Sequence, residues 1–218
     1  MVKQREIVSQ SISDQVYSFI EEDIVTRKYL AGSRIDLDEI QKTLGISRIP
    51  IRDALERLIE KGLVRKIPRI GYFTVKPTPT EIRDLFGVRR LLEEYALSQG
   101  VGNIDREPAT ELRQRFARFA GTTTFSSEQT AELLKLDLML HGSVIIANSN
   151  SPLLESIYEG IKVKINLSAH MMYRFEDDIV EHLAILDAIL AGHQEQAIEC
   201  LRKHLKATEE HTLRLAFD

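Results

Sequence analysis

The sequence predicts a mainly α-helical protein, in which a small domain of three helices and a β-hairpin precedes a bundle of about six helices. Apolar residues recur at helical spacing along most of the chain, and β-prone runs are confined to residues 63–75. Two prolines at alternate positions, Pro77 and Pro79, interrupt the helical pattern. The charge balance also changes there, because residues 1–76 hold 14 Lys and Arg against 11 Asp and Glu, whereas residues 77–218 hold 15 against 22. We therefore expect two domains, 1–76 and 77–218.

The composition is typical of a soluble globular protein, with 43% hydrophobic and 28% charged residues. Cys200 is the only cysteine of the sequence, so no disulfide forms within the chain, and a reducing compartment is favoured. No apolar run approaches the ~18 residues that cross a bilayer. The first 15 residues lack the apolar core of a secretory signal. We expect a cytoplasmic protein without a membrane partner.

The N-terminal domain is predicted from three helical segments and one hairpin. The first helix is expected over 13–27, and a short second helix over 37–44 ends at Gly45. A third helix follows Ser47, which is a good N-cap. The β-prone residues 63–75 surround a Pro-Arg-Ile-Gly turn and predict a hairpin. The apolar face of the third helix has the spacing i, i+3, i+4, i+7, i+8 and consists of Ile51, Ala54, Leu55, Leu58 and Ile59.

Two short helices joined by a tight turn have the geometry of a helix-turn-helix, whose second helix enters the major groove of DNA. Burying the apolar face leaves Arg48, Ile49 and Arg52 exposed near the start of that helix, with the two arginines at i and i+4. The guanidinium group is well shaped for a bidentate contact with guanine. The Ser47 hydroxyl and nearby backbone N–H groups suit a phosphate, and Pro50 in the first turn removes no intrahelical donor. These features predict a DNA-reading helix.

The run from Ile35 to Val75, which contains LGISRIPIRDALERLIEKGLV and PRIGYFTV, resembles the winged helix-turn-helix of GntR-family transcription regulators. The resemblance implies that the third helix reads DNA and that Gly71 lies at the tip of the wing, beside the basic Arg69. Some relatives also read DNA with a basic residue early in the second helix. That region is acidic here, and Arg34 just before it is the candidate substitute. The predicted DNA-binding residues are Arg34, Ser47, Arg48, Ile49, Pro50, Arg52, Arg69 and Gly71.

The C-terminal domain is predicted to be entirely helical, because its Phe and Ile residues recur at helical rather than alternating spacing. Thr80 is expected to cap the first of its helices, which then begins at Glu81. The predicted helices lie near residues 80–99, 107–120, 127–147, 152–174, 177–191 and 194–216.

Four residues of this domain form a candidate metal site. Asp137 and His141 are at i and i+4, so both project from the same face of one helix. His182 and His204 each lie 11 residues from His193, where the last two helices turn. In an antiparallel helix hairpin they are at equal height, about 16 Å from the turn. A lone histidine on an apolar face is more often a hydrogen-bonded core residue. Burying three imidazoles and a carboxylate without a cation is nevertheless costly, so we predict a divalent metal ion.

The segment 80–216 resembles the FCD-type ligand-sensing domain of the FadR-type GntR subfamily, through Asp137-x3-His141, Asn148, Leu153-Leu154, Glu181-His182, Ile185–Ala188 and His204-Leu205. Metal-binding members hold zinc or nickel through residues that match the four above, and the ion helps to bind a small carboxylate effector. Ligand type alone would also suit manganese or iron. Arg89 matches an arginine directed toward the ligand, and a surface or ion-paired position beside Arg90 is the alternative. The resemblance further implies a homodimer on a palindromic double-stranded DNA operator.

The resulting hypothesis is a non-enzymatic transcription regulator, in which a metal and a small organic acid bound to the C-terminal domain modulate operator binding. One alternative is a metal-dependent enzyme fused to a DNA-binding head. The sequence contains no HExxH motif, nucleophile elbow or phosphate loop, and Glu181 is expected to point away from the centre because it adjoins His182. The other alternative is a regulator whose metal is purely structural.

Overall fold

The computed structural model describes residues 11–25, 28–171 and 174–217. The chain divides into two compact units at the boundary between Lys76 and Pro77. The predicted fold class is confirmed, since the N-terminal unit combines three helices with a small sheet and the C-terminal unit is helical throughout its described elements. Within these residues, no helix is both long and apolar enough to cross a membrane.

The described residues of the N-terminal unit form three helices and a three-stranded antiparallel sheet of order β1-β3-β2. The strand β1 was not predicted, because two residues are too few to show an alternating pattern. It pairs Arg34 with Phe73 and Ile35 with Tyr72. The predicted end of the first helix, residues 26–27, lies outside the described residues. The elements are α1 (Ile12–Val25), β1 (Arg34–Ile35), α2 (Leu37–Leu44), α3 (Arg48–Glu60), β2 (Val64–Ile67) and β3 (Gly71–Thr74).

The turn between α2 and α3 is set by local backbone chemistry. Gly45 adopts a left-handed conformation with φ of 65°, and its N–H donates to the carbonyl oxygen of Gln41, which ends α2. Ser47 has the extended backbone of an N-cap, but its side chain makes no capping hydrogen bond with the described residues. Ser47 therefore occupies the predicted N-cap position of α3, but the predicted capping hydrogen bond is not formed in the described part of the chain. Its hydroxyl group can bind another partner. The α3 face buried against α1 consists of Ile51, Ala54, Leu55 and Leu58, with Ile59 half-buried.

The C-terminal unit contains six α-helices in its described part, and the first begins earlier than predicted. The N-cap is Thr78, not Thr80, because Thr78 and Glu81 form a reciprocal capping box. The Glu81 N–H donates to the Thr78 hydroxyl over 3.2 Å, and the Thr78 N–H donates to the Glu81 carboxylate over 2.7 Å. The helices are α4 (Pro79–Ser98), α5 (Arg106–Ala117), α6 (Ser127–Leu138), α7 (Pro152–Met171), α8 (Phe175–Ala191) and α9 (Gln194–Phe217).

The predicted α-helix over 127–147 is wrong in its second half. After α6 the chain continues as a π-helix, Met139–Ile146, and then as a 3-10 turn, Ala147–Ser149. The π segment is apolar on nearly all sides, so its hydrophobic pattern does not distinguish the two helix types. Such wide turns occur frequently at functional sites, and this one carries His141. Residues 172–173 of the predicted helix over 152–174 lie outside the described residues.

The last two helices form the hairpin on which the candidate site is built. Gly192 ends α8 in the left-handed conformation with φ of 75°, and α9 begins two residues later. α9 packs against both α8 and α4, and α8 also packs against α5. The π segment contacts α4, α5 and α7. Polar residues on α4, α6, α8, α9 and the π segment can therefore meet in one interior.

Candidate metal centre and DNA-binding surface

Four buried side chains converge inside the helical unit: Asp137 on α6, His141 on the π segment, His182 on α8 and His204 on α9. One carboxylate oxygen and one ring nitrogen from each histidine all lie within 4.8 Å of one another. None of the four residues is more than 5% exposed. We call Asp137, His141, His182 and His204 the four-residue cluster.

The spacing inside the cluster suits a single ion. The Nε2 atoms of His182 and His204 are 3.2 Å apart, and the Nε2 atom of His182 is 3.2 Å from Asp137 Oδ1. His141 Nε2 lies 3.6 Å from the same oxygen. Two ligand atoms at ~2.1 Å from one ion are about 3.0–3.4 Å apart at octahedral or tetrahedral angles. Small adjustments would thus bring these atoms into a common coordination sphere.

Two of the histidines are hydrogen-bonded to glutamates through Nδ1, the ring nitrogen that lies away from the cluster. His141 Nδ1 is hydrogen-bonded to Glu93 Oε2, and His204 Nδ1 is hydrogen-bonded over 2.9 Å to Glu181 Oε2. An ionised carboxylate only accepts, so each Nδ1 carries the proton and each Nε2 presents a lone pair to the cluster. His141 Nε2 is buried and has no hydrogen-bond partner among the described residues. A buried lone pair with no donor fits a cation, and the donor set therefore fits a metal ion.

The electrostatics of the cluster place Asp137, His141 and His204 in the protonation states that metal binding requires. Burial would raise the pKa of Asp137, but His141, His182 and Arg89 more than offset it and hold this pKa far below its usual range. Burial lowers the pKa of His204 to about 3. Burial, reinforced by Arg89, also lowers the pKa of His141. At neutral pH the cluster therefore contains a carboxylate, with His141 and His204 neutral.

Arg89 lies beside the cluster and not on the surface. It is only 2% exposed, and its Nε donates to Glu93 Oε1 over 2.6 Å. The surface interpretation of Arg89 is therefore wrong, whereas its ion-paired alternative is correct, since Arg89 pairs with Glu93 in the interior. Its Nη2 is buried and makes no hydrogen bond within the described part of the chain. One strong donor thus remains available in the interior.

The structure adds two residues that the sequence analysis did not place at the site, Glu93 and Glu181. Glu93 is fully buried, four residues after Arg89, and an Arg-x3-Glu pair on an apolar helix face was the available signal. Glu181 diverges from its neighbour His182, as expected, and its carboxylate hydrogen-bonds the Nδ1 atom of His204 on α9, on the side of that ring away from the cluster. His193 is exposed and His211 half-buried, and the side chain of His170 lies outside the described residues.

Five of the eight predicted DNA-binding residues line one groove of the N-terminal unit, with a volume of about 650 Å³: Arg34, Arg48, Arg52, Arg69 and Gly71. The start of α3 and the β2–β3 hairpin flank it. Ile49 is 72% exposed, and Ser47 and Arg52 are exposed while Pro50 is half-buried. Arg48 is ion-paired with Asp38 of α2, so a DNA contact by Arg48 requires this pair to open. The basic residues lining the groove are Arg34, Arg48, Arg52, Lys66 and Arg69.

The hairpin tip is shaped by its backbone. Arg69 adopts a positive φ of 63°, and Gly71 a φ of 140°. A Cβ at Gly71 would lie 3.5 Å from Arg34 Nε, so the side chain of Arg34 passes over this glycine. Gly71, the predicted wing-tip residue, and Arg34, the predicted substitute for a basic residue in α2, therefore lie at the same edge of the groove.

Comparison with known proteins gives two family matches. Residues 12–74 match the model of bacterial regulatory proteins of the gntR family, and residues 84–207, more than half of the chain, match the FCD domain. The HTH-type transcriptional regulator YdhC of Bacillus subtilis (strain 168) is 24% identical, over 90% of this chain and 89% of its own.

Solved structures agree with these matches. A GntR transcriptional regulator from Rhodococcus sp. RHA1 has the same fold, with a TM-score of 0.76 at 22% identity over 93% of this chain and 97% of its own. The Zn²⁺-bound FCD domain of TM0439 is 25% identical and covers 65% of this chain and 98% of its own, with a TM-score of 0.55.

Proposed function

Because this chain belongs to the GntR family of bacterial regulatory proteins and carries an FCD domain, we propose that it is a transcription regulator whose operator binding responds to a divalent metal and a small carboxylate. The observation that carries the proposal is the four-residue cluster, in which three imidazoles and one carboxylate meet in a dry interior. The unpartnered Nε2 of His141 supports a cation there.

Zinc or nickel is the proposed ion. Imidazole suits both metals, and the Zn²⁺-bound FCD domain of TM0439 supports zinc. When bound, such an ion supplies open coordination positions at which a carboxylate is captured. Asp137, His141, His182 and His204 are the proposed protein ligands.

Arg89 is the proposed effector-binding residue. Its Nε is already used by Glu93, and its Nη2 supplies a buried donor for a second carboxylate. The effector class is therefore a small organic acid. The effector must bind the two forms of the regulator unequally, since a ligand with equal affinity for both shifts nothing.

The N-terminal domain, residues 1–76, is the proposed operator-binding domain, and residues 77–218 form the proposed sensor. The start of α3 supplies Arg48, Ile49 and Arg52 for base contacts, and Ser47 is placed for a phosphate. Arg34, Arg69 and Gly71 lie at the wing edge of the same groove. We propose no catalytic role, which agrees with the regulators found as relatives.

A homodimer is proposed, and an exposed apolar stripe on α4 supports it. Val88, Leu91 and Tyr95 lie at i, i+3 and i+7 on one helix face and are 41–73% exposed. α7, which packs against α4, exposes Leu153 and Ile157 as well. Scattered exposed apolar residues are ordinary, but a stripe on one helix face is typical of an interface. Two copies would read the two halves of a palindromic operator.

Operator binding in the presence of metal and acids tests this function. DNA fragments selected by the zinc-loaded protein are titrated in gel-shift assays with a panel of mono-, di- and tricarboxylates. We expect at least one acid to change operator affinity in the wild type. This change should be lost in Arg89→Lys, which keeps the positive charge but lacks the planar guanidinium group that can donate two hydrogen bonds to one carboxylate. If no acid of the panel changed operator affinity, a purely structural metal would be favoured.

A further inference from the structure

Behind His141 lies a buried chain of polar contacts that ends in an arginine. His141 Nδ1 is bonded to Glu93 Oε2, and Glu93 Oε1 accepts from Arg89 Nε over 2.6 Å. Glu93 is fully buried and Arg89 is 2% exposed. We call Arg89, Glu93 and His141 the inner relay. Each of the two carboxylate oxygens has its own partner, so Glu93 cannot rotate without breaking one of the contacts.

A second chain of the same composition lies behind His204. His204 Nδ1 is bonded over 2.9 Å to Glu181 Oε2, and the same oxygen accepts from Arg174 Nη2 over 2.6 Å. We call Arg174, Glu181 and His204 the outer relay. It differs in exposure, because the Glu181 side chain is 27% exposed and that of Arg174 is 14% exposed. The outer relay thus reaches the surface, whereas the inner relay is fully buried.

The outer relay also accounts for a second group of possible metal ligands. Asp178, Glu181 and His204 place ligand atoms within 4.8 Å of one another. Arg174 Nη2 lies 2.9 Å from Asp178 Oδ1 and 2.6 Å from Glu181 Oε2. The guanidinium group therefore already supplies the cation between these carboxylates. This group serves to fix Glu181, and we assign no second metal to it.

We propose that Glu93 and Glu181 are positioning residues, which fix the Nδ1–H tautomers of His141 and His204 and so aim their Nε2 lone pairs into the four-residue cluster. Arg89 and Arg174 orient the two carboxylates through their hydrogen bonds. Outer partners of this kind typically contribute 10–100-fold to metal affinity. The inference rests on the proposed metal function for its affinity effect, but the tautomers themselves belong to the metal-free protein.

Glu181→Gln is the principal test, because its partial exposure lets the variant fold. The matched control is Asp187→Asn, on the same helix, whose carboxylate pairs with Arg113 and touches no histidine of the cluster. For the inner relay, Glu93→Gln is compared with Glu94→Gln, since Glu94 pairs with Arg202 on the neighbouring helix. All measurements use the full-length chain.

Three readouts distinguish a positioning role of the glutamates from a general effect on folding. Ring ¹⁵N chemical shifts of the metal-free protein should show His204 with its proton on Nδ1 in the wild type and in Asp187→Asn, and a mixture of tautomers in Glu181→Gln. Zn²⁺ affinity, measured by competition with a chromophoric chelator, should fall about 10-fold or more in Glu181→Gln and less than 2-fold in the control. The visible spectrum of the Co²⁺ form should shift only in the relay variants.

A wild-type His204 protonated on Nε2 would overturn the inference, even if the protein binds metal. Unchanged Zn²⁺ affinity and an unchanged Co²⁺ spectrum in a folded Glu181→Gln would overturn it as well. Failure of the wild type to bind Zn²⁺ or Co²⁺ would instead contradict the proposed function, while the ring shifts would still test the relays.

Discussion

His182 and His204 face each other across the α8–α9 hairpin, with their Nε2 atoms 3.2 Å apart and both rings buried. The ring of Phe116 packs against His182 with centroids 4.8 Å apart, which keeps this side of the pair apolar. The lone pair of His204 therefore points at a second imidazole in a place that water does not reach. Without a metal, a proton on His182 Nε2 satisfies this contact and the one to Asp137 Oδ1, which is also 3.2 Å away, and a bound metal ion would take the place of that proton.

Substitution of the two recognition-helix arginines tests the operator-binding surface. The double variant Arg48→Ala and Arg52→Ala should lose specific operator binding, since each bidentate contact contributes about 1–3 kcal/mol of discrimination. Arg57→Ala is the control, because Arg57 lies on the same helix but pairs with Asp14 of α1. Gel shifts with operator and random DNA measure the effect. Specific binding that persists in the double variant would disprove the assignment of α3.

The proposed dimer is tested by placing a charge in the α4 stripe. Leu91→Asp should shift the protein toward the monomer in analytical ultracentrifugation, because Leu91 is 73% exposed and a buried unpaired carboxylate is costly. Val180→Asp, at a 64% exposed position of α8, is the control and should leave the sedimentation of the wild type unchanged. Equal sedimentation of both variants and the wild type as dimers would exclude this stripe as the interface.

The metal-free protein should lose stability as the pH falls below 6.5. Burial lowers the pKa of His204 from 6.5 to about 3 and also lowers that of His141, so the unfolded chain binds protons that the folded chain does not. The free energy of unfolding therefore decreases with falling pH between about 6.5 and 3, with a slope of up to about 1.4 kcal/mol per pH unit from His204 and a further decrease from His141 below pH 6.5. Urea unfolding of the chelator-treated protein at pH 7.5 and 5.5 measures it.

The same experiment on His204→Gln should give a shallower dependence, because one of the two buried imidazoles is removed. Equal stability of the metal-free wild type at both pH values would contradict the burial of neutral histidines. Added Zn²⁺ should raise the stability of the wild type, by about 2.7 kcal/mol at 100 times its dissociation constant.

Part of the candidate site follows from one-dimensional spacing. His182 and His204 are equally distant from the turn at His193, and a helix hairpin converts that symmetry into facing positions. Asp137 and His141 share a helix face for the same kind of reason. The role of these residues as metal ligands stays a prediction. The position of the π segment relative to the α8–α9 hairpin depends on packing between helices that are distant in sequence. The spacing of apolar residues along the chain does not predict this position.

The residues that the sequence missed are those whose partners lie on other elements. Glu93 is 48 residues before His141, and only the packing of α4 against the π segment brings them together. Glu181 was considered only as the neighbour of His182. One residue along a helix rotates the side-chain direction by about 100°, so Glu181 contacts a different partner, which lies on another helix. The strand β1 was missed because Arg34–Ile35 pairs only through the distant hairpin.

Native mass spectrometry of the full-length protein tests the central claim most directly. The account predicts one Zn²⁺ or Ni²⁺ ion for each wild-type chain, and none in the double variant His182→Ala and His204→Ala. The control, His193→Ala with His211→Ala, should retain the full metal content, since neither residue belongs to the cluster. A folded His182→Ala and His204→Ala protein with undiminished metal content would contradict the account.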